Sequence, residues 1–219
     1  MLNDAGGREL LLRQYGLRKV PVVARGDKYV LSQLLEDFAE FVGLHSGSSQ
    51  RLPPVELFGK YRNILATAQR YMRQMPDQHI NERAMPNRDR IIRTLAYHVF
   101  RIGEAFLETW NGATHTPEIY NNDPDDSLQT GAQLADYGAS VWQRLETWWQ
   151  TNDDRELARI IKTYYGDISA HRVFERATWH SAQHVRQLRA VLERLNIAPD
   201  GELSVEDLAG LPMPERVWE

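Results

Sequence analysis

Apolar residues recur every three or four positions over four long stretches of the chain, the spacing of one buried helix face. The first carries Phe58, Tyr61, Leu65, Ala68, Met72 and Met75. The second runs from about Asn87 to Trp110, with Leu95 and Ile102 at one heptad position and Ile91, His98 and Ala105 at the other. The third starts near Thr130, where Thr130 and Gln133 fit a capping box, and carries Leu134, Val141, Leu145 and Trp148. The fourth runs from near Ser169 to Leu195. Four stripes of about 20 residues predict a mainly α protein built as a four-helix bundle. The connection at 111–129 is long for such a bundle and is expected to cross over it. A short helical piece is expected at 154–163, before Gly166. The bundle spans 54–197. The tail, 198–219, holds three prolines and a capping signal at Ser204 and Asp207, and is expected to lie along the bundle surface.

Residues 1–45 have another texture. A helical pattern from Arg8 to Tyr15 ends at Gly16. Two β-rich runs, Val20-Pro21-Val22-Val23 and Tyr29-Val30-Leu31, flank Gly26-Asp27 and read as a hairpin. A short amphipathic helix follows over Leu34 to Val42. The order is αββα, and the Ser/Gly-rich stretch 46–53 reads as a linker to the bundle.

The 219 residues are 42% hydrophobic, which is enough for a sizeable core. The net charge is −4 and the basic residues are dispersed, so a nucleic-acid partner is not expected. The acidic run at 121–126 (NNDPDD) reads as a solvated loop. No apolar run is long enough for a membrane span, and no signal peptide is apparent, so a cytoplasmic location is the expectation. Cysteine is absent, which excludes disulfides, dithiol redox chemistry, a Cys nucleophile and Cys-ligated zinc. Phosphate-loop, dinucleotide-binding and serine-hydrolase motifs are also missing.

The candidate chemistry lies in three histidines. His98 occupies the apolar seam of the second helix and His184 that of the fourth, while His180 lies one turn before His184 on the same side. Two helices thus point three imidazoles into one interior. Imidazole is the commonest side-chain metal ligand, and three ligands on one side of an ion leave a position open for chemistry. The competing explanation is a set of hydrogen-bonded core histidines. His171, nine residues before His180, should face away. His45 and His79 read as surface residues, and His115 sits in the long connection, which could fold over a site. Arg172, Arg176, Arg186 and Arg189 line the last helix, where one could meet an anionic substrate. Trp142, Trp148 and Trp149 read as packing residues.

The segment from Tyr164-Tyr165-Gly166 through Phe174 to Leu188, containing Trp179-His180-Ser181-Ala182-Gln183-His184, resembles the last helix of DinB-like proteins. Leu95-Ala96-Tyr97-His98, followed by Glu104, is similar to the stretch of their second helix that supplies the third histidine. The resemblance covers about 54–197. It implies a divalent metal, zinc or nickel, on His98, His180 and His184. It also implies a thiol S-transferase or related enzyme using bacillithiol, mycothiol or glutathione; in such an enzyme Tyr97, Trp179 and Tyr164 would shape the pocket. The alternatives are a non-catalytic metal-binding stress or sensor module, or a metal-hydroxide hydrolase. Residues 1–45 resemble the second half of a glutaredoxin or thioredoxin fold, with Arg18-Lys19-Val20-Pro21-Val22 matching its cis-proline segment. That likeness makes Val20 and Pro21 candidate contacts for a thiol peptide such as glutathione. Because the fold's other half and its Cys-x-x-Cys are absent, the exposed hairpin edge is expected to be covered by a second copy, giving a homodimer joined through residues 18–32.

Overall fold

The computed structural model describes residues 9, 13, 22–31, 39, 41–43, 51–85 and 89–218. Val20, Pro21 and His45, and most of the two short helices expected within residues 1–45, lie outside the described residues. The chain forms two compact units, Met1–Arg51 and Leu52–Glu219.

In the first unit, β1 (Val22–Arg25) and β2 (Lys28–Leu31) pair antiparallel, Val22 opposite Leu31 and Arg25 opposite Lys28. The two-residue Gly26-Asp27 turn joins them. Gly26 has φ +61°, a conformation that strains most L residues. Glu9 and Arg13 are helical and form an i,i+4 ion pair, and Ala39, Phe41 and Val42 are helical too. A two-stranded hairpin is not distinctive of a thioredoxin fold, and the described residues lend that likeness no support.

The second unit is helical. Its elements are α1 (Pro54–Gln74), α2 (Ile92–Trp110), the short α3 (Pro117–Tyr120), α4 (Gly131–Thr151), α5 (Ala170–Arg194) and the short α6 (Val205–Leu208). Pro54 opens α1, where a missing N–H is harmless. The Thr130–Gln133 capping box forms at the start of α4: Thr130 Oγ1 accepts from Gln133 N at 3.1 Å, and Gln133 Oε1 accepts from Thr130 N at 3.0 Å. Beyond α5, Asn196 takes φ +58°, the left-handed turn that halts a helix.

Three expectations are corrected. The helix predicted from Asn87 begins at Ile92. Ile91 is extended and bridges Arg83, and Ile92 N donates to Glu82 O at 2.9 Å, so these backbone groups serve a small hairpin instead of a helical turn. The helical piece predicted at 154–163 is absent. Ile160–Thr163 forms β3 and pairs antiparallel with β4 (Gly166–Ser169). The run Ile-Ile-Lys-Thr is β-branched, and Ile161 and Thr163 turn inward while Ile160 and Lys162 stay exposed, a period of two. The long connection joins neighbours and does not span the bundle. α1 and α2 occupy opposite corners, and α4 and α5 fill the other two, each touching both. The diagonal steps are therefore α1 to α2 and α4 to α5.

The core between the corners is aromatic. Phe106 and Phe174 approach to 4.9 Å between ring centres, Tyr61 meets Phe174 edge-on at 5.5 Å, and Trp148 meets Phe106 at 4.9 Å. Phe100 fills a space that only a glycine at 138 leaves open, since a Cβ there would stand 2.4 Å from the ring. The tail is tied to α1: Tyr71 donates to Gly201 O at 2.7 Å and Asn63 to Asp207 Oδ1 at 2.7 Å.

Candidate metal centre

α2 and α5 are adjacent corners, so the seam residues they share must meet. His98 and His184 are buried, and His180 is half-buried beside them. Ring centres lie 4.9 Å apart for His98 and His184, 5.3 Å for His98 and His180, and 4.8 Å for His180 and His184. One nitrogen from each ring lies within 4.8 Å of the other two, close enough for a single ion to reach all three.

For His98 and His184 the second nitrogen has a partner that fixes the ring. His98 Nδ1–H donates to the Tyr120 carbonyl at 2.8 Å. A carbonyl only accepts, so the proton sits on Nδ1 and the Nε2 lone pair is left for the centre. His184 Nδ1 lies 2.7 Å from Gln187 Oε1. His184 Nε2 is buried and has no hydrogen-bond partner among the described residues. A buried polar atom of this kind is costly unless something fills its place, and a metal ion does so. The residues present therefore fit a divalent ion.

Electrostatics point the same way. Burial pushes His98 well below the ordinary histidine value, with the charges of His184, Arg90 and Arg176 adding to it. Burial does the same to His180, helped by His184, His98, Arg176 and Arg90. Burial takes His184 down to about 4, against a raising hydrogen bond from Gln187. All three are neutral at pH 7, the protonation state that ligates a metal.

An aromatic wall adjoins the cluster. Tyr120 stands edge-on to His180 at 6.4 Å and stacks on His115 at 5.2 Å, and its hydroxyl lies 3.4 Å from that of Tyr164. Trp179 lies 5.7 Å from the His180 ring. Arg176, one turn before His180, places its guanidinium 5.8 Å from the Tyr120 ring centre and 6.0 Å from that of Tyr165. Tyr97 is not part of this wall. It turns toward α4, stacking on Tyr137 at 5.1 Å, and its hydroxyl accepts from Asn122 at 3.3 Å.

The other described histidines separate cleanly. His115 is buried one ring further out, 3.3 Å from Thr109 Oγ1 through Nδ1, and its backbone bonds to Lys162 and Tyr164 beside β3. The long connection thus folds over the cluster's end of the bundle. His171 Nε2 donates to Leu52 O at 2.9 Å, away from the cluster, and His79 pairs with Glu82 at 2.7 Å. Sequence reasoning missed Tyr120 and Gln187. Gln187 carried a signal, standing three residues after His184 on the same helix face. Tyr120 acts on His98 through its backbone, which leaves no signal in residue type.

The fold and the cluster define a class: a four-helix bundle holding three histidines that could bind a metal ion in its seam. The profile of the DinB superfamily matches residues 61–188, more than half of the chain, and the chain belongs to that superfamily. No curated protein and no solved structure matches it.

Proposed function

We propose that this protein is a metal-dependent enzyme of the DinB superfamily that works on a small-molecule thiol, with His98, His180 and His184 holding one zinc or nickel ion. The observation that carries the reading is the trio of neutral imidazoles, with a buried His184 Nε2 that has no other partner among the described residues. When bound, the ion would stabilise an incoming thiol as its thiolate and present it to an electrophile. The chain has no cysteine, so the sulfur must come from a separate molecule such as bacillithiol, mycothiol or glutathione.

The chain's own residues supply the rest. Tyr120, Tyr164 and Trp179 give the ligand an aromatic wall and keep water from the ion's neighbourhood. Arg176 and Arg90 place positive charge near the imidazoles, which suits a ligand that arrives as an anion. Val20 and Pro21 remain proposed contacts for a thiol peptide, on the resemblance alone. Thiols of this kind are kept reduced in the cytoplasm, where this reading places the protein. No helix is long and apolar enough to cross a membrane among the described residues.

The test is to load the protein with cobalt(II) and add each thiol in turn. A sulfur-to-cobalt charge-transfer band in the near ultraviolet, lost in His184→Ala, is expected with at least one of them. If no thiol perturbs the cobalt spectrum, the thiol reading falls, and a hydrolase or a non-catalytic metal-binding module takes its place.

A further inference from the structure

His184 is fixed by a residue that is itself held by the C-terminal tail. Gln187 Oε1 lies 2.7 Å from His184 Nδ1, and Gln187 Nε2 donates to the Val217 carbonyl at 3.0 Å. The second contact decides the first. A backbone carbonyl cannot donate, so the amide must turn its NH2 toward Val217 and its oxygen toward His184. An amide oxygen only accepts, so the proton of His184 sits on Nδ1, and Nε2 turns its lone pair to the cluster. The Val217 carbonyl, 33 positions along the chain from His184, selects the ligating tautomer through one side chain.

The tail is gripped at several points next to this contact. Gln183 Nε2 donates to Val217 O at 2.8 Å and to Arg216 O at 3.1 Å. Arg186 Nη1 donates to Pro214 O at 2.7 Å and to Gln183 Oε1 at 2.9 Å, and Arg186 Nη2 donates to Glu215 O at 3.1 Å. Val217 O thus accepts from Gln183 and Gln187, one helical turn apart, which uses both of its lone pairs. Trp218 packs against the core just beyond.

We infer that Gln187 is a positioning residue for His184, and that the tail segment 214–218 acts on the metal centre by holding Gln187 in its working orientation. This rests on the reading of His98, His180 and His184 as metal ligands. A tail that merely covers apolar surface would hold Trp218 and leave the histidine indifferent. The orientation found here requires His184 to respond when the tail is lost.

The experiment compares wild type, Gln187→Leu, Gln187→Glu and a chain lacking residues 214–219, with two readouts. Zinc affinity is measured by competition with a chromophoric chelator. The tautomer of His184 in the metal-free protein is read from its long-range nitrogen–proton NMR couplings. Gln187→Leu should weaken zinc binding by roughly 10- to 100-fold, the usual effect of losing a hydrogen-bond partner of a metal ligand. It should also turn His184 from the Nδ1–H form into a mixture. Gln187→Glu keeps an acceptor for His184 but cannot donate to the Val217 carbonyl, so it should keep the Nδ1–H tautomer and make it indifferent to loss of 214–219. Loss of 214–219 should move both readouts in the direction of Gln187→Leu. If Gln187→Leu binds zinc as tightly as wild type with an unchanged tautomer, the inference is overturned and the metal reading stands. A wild-type chain that holds no zinc at the three histidines overturns both.

Discussion

Arg101 and Glu108, two turns apart on α2, are joined by two parallel hydrogen bonds of 2.6 and 2.7 Å. Arg101 is buried, and it also donates to Glu104 at 2.7 Å and to Asn122 Oδ1 at 2.9 Å. Asn122 lies two residues beyond Tyr120, so this one guanidinium pins the stretch of chain whose carbonyl holds His98. Glu104 in turn accepts from Tyr137 and pairs with Arg144 on α4, and these contacts hold it below the usual carboxylate range against the opposing effect of burial.

Arg101→Met should therefore destabilise the fold and loosen His98 together. The expected loss is about 2 kcal/mol, less than for a fully buried pair because Glu108 reaches water. Chemical denaturation measures it. A stability within a few tenths of a kcal/mol of wild type would show that the network contributes little.

One divalent ion should bind per chain, and His98→Ala or His184→Ala should abolish stoichiometric binding, as read by metal analysis after dialysis. Zinc or nickel held at one equivalent by the triple alanine variant would remove these residues from the site. Nitrogen–metal distances in the loaded protein should be about 2.0–2.2 Å.

The metal-free protein should lose stability on mild acidification. Burial, with Arg176 adding to it, takes His115 down to about 4, and His184 also lies at about 4. In the unfolded chain a histidine titrates near 6.5, so between pH 6.5 and 4 the unfolded state binds protons that the folded state refuses. Stability is complete above pH 6.5 and falls by about 1.4 kcal/mol per pH unit for each such histidine as the pH drops toward 4. Urea unfolding at pH 7 and pH 5 tests this. His115→Gln should make the slope shallower by one proton, and an unchanged slope would count against the buried neutral ring.

Gly138→Ala should be poorly tolerated, because the new methyl would meet the Phe100 ring. Overpacking of this kind typically costs about 1–3 kcal/mol. Calorimetry on the variant and on Gly138→Ala/Phe100→Leu should show the second change recovering part of the loss. No recovery would place the strain elsewhere.

The full chain should sediment as a homodimer at micromolar concentration, and a chain beginning at Leu52 as a monomer. The hairpin is the reason: β1 and β2 make a two-stranded sheet whose edges need partners. A monomeric full chain would refute the dimer, and a dimer that survives the deletion would move its interface to the helical unit.

The four long helices were legible because their apolar residues keep a helical period over many turns and because Thr130 and Gln133 mark a start. His98 and His184 were legible for the same reason, as polar residues in apolar seams. The β3–β4 hairpin was not, since a period of two over four residues is too short to separate from a helical fragment. The start of α2 is misplaced by the sequence because the polar run Asn87 to Arg90 shows no period of its own, and only the antiparallel bridge between Arg83 and Ile91 settles it. The support of His98 by Tyr120 could not be read at all, because every residue at position 120 would offer a carbonyl.

The placement of the three histidines also sets an order of assembly. His98 leaves the ribosome 82 residues ahead of His180, and the diagonal step through β3 and β4 must be completed before α5 can dock beside α2. An ion captured by His98 alone would be held by a single bond in a half-built bundle. The full set exists only once the last long helix is seated beside α2. A metal ion bound at these histidines would thus be the final component to arrive, on a fold that the apolar seams have already drawn together, and its removal should leave the bundle standing.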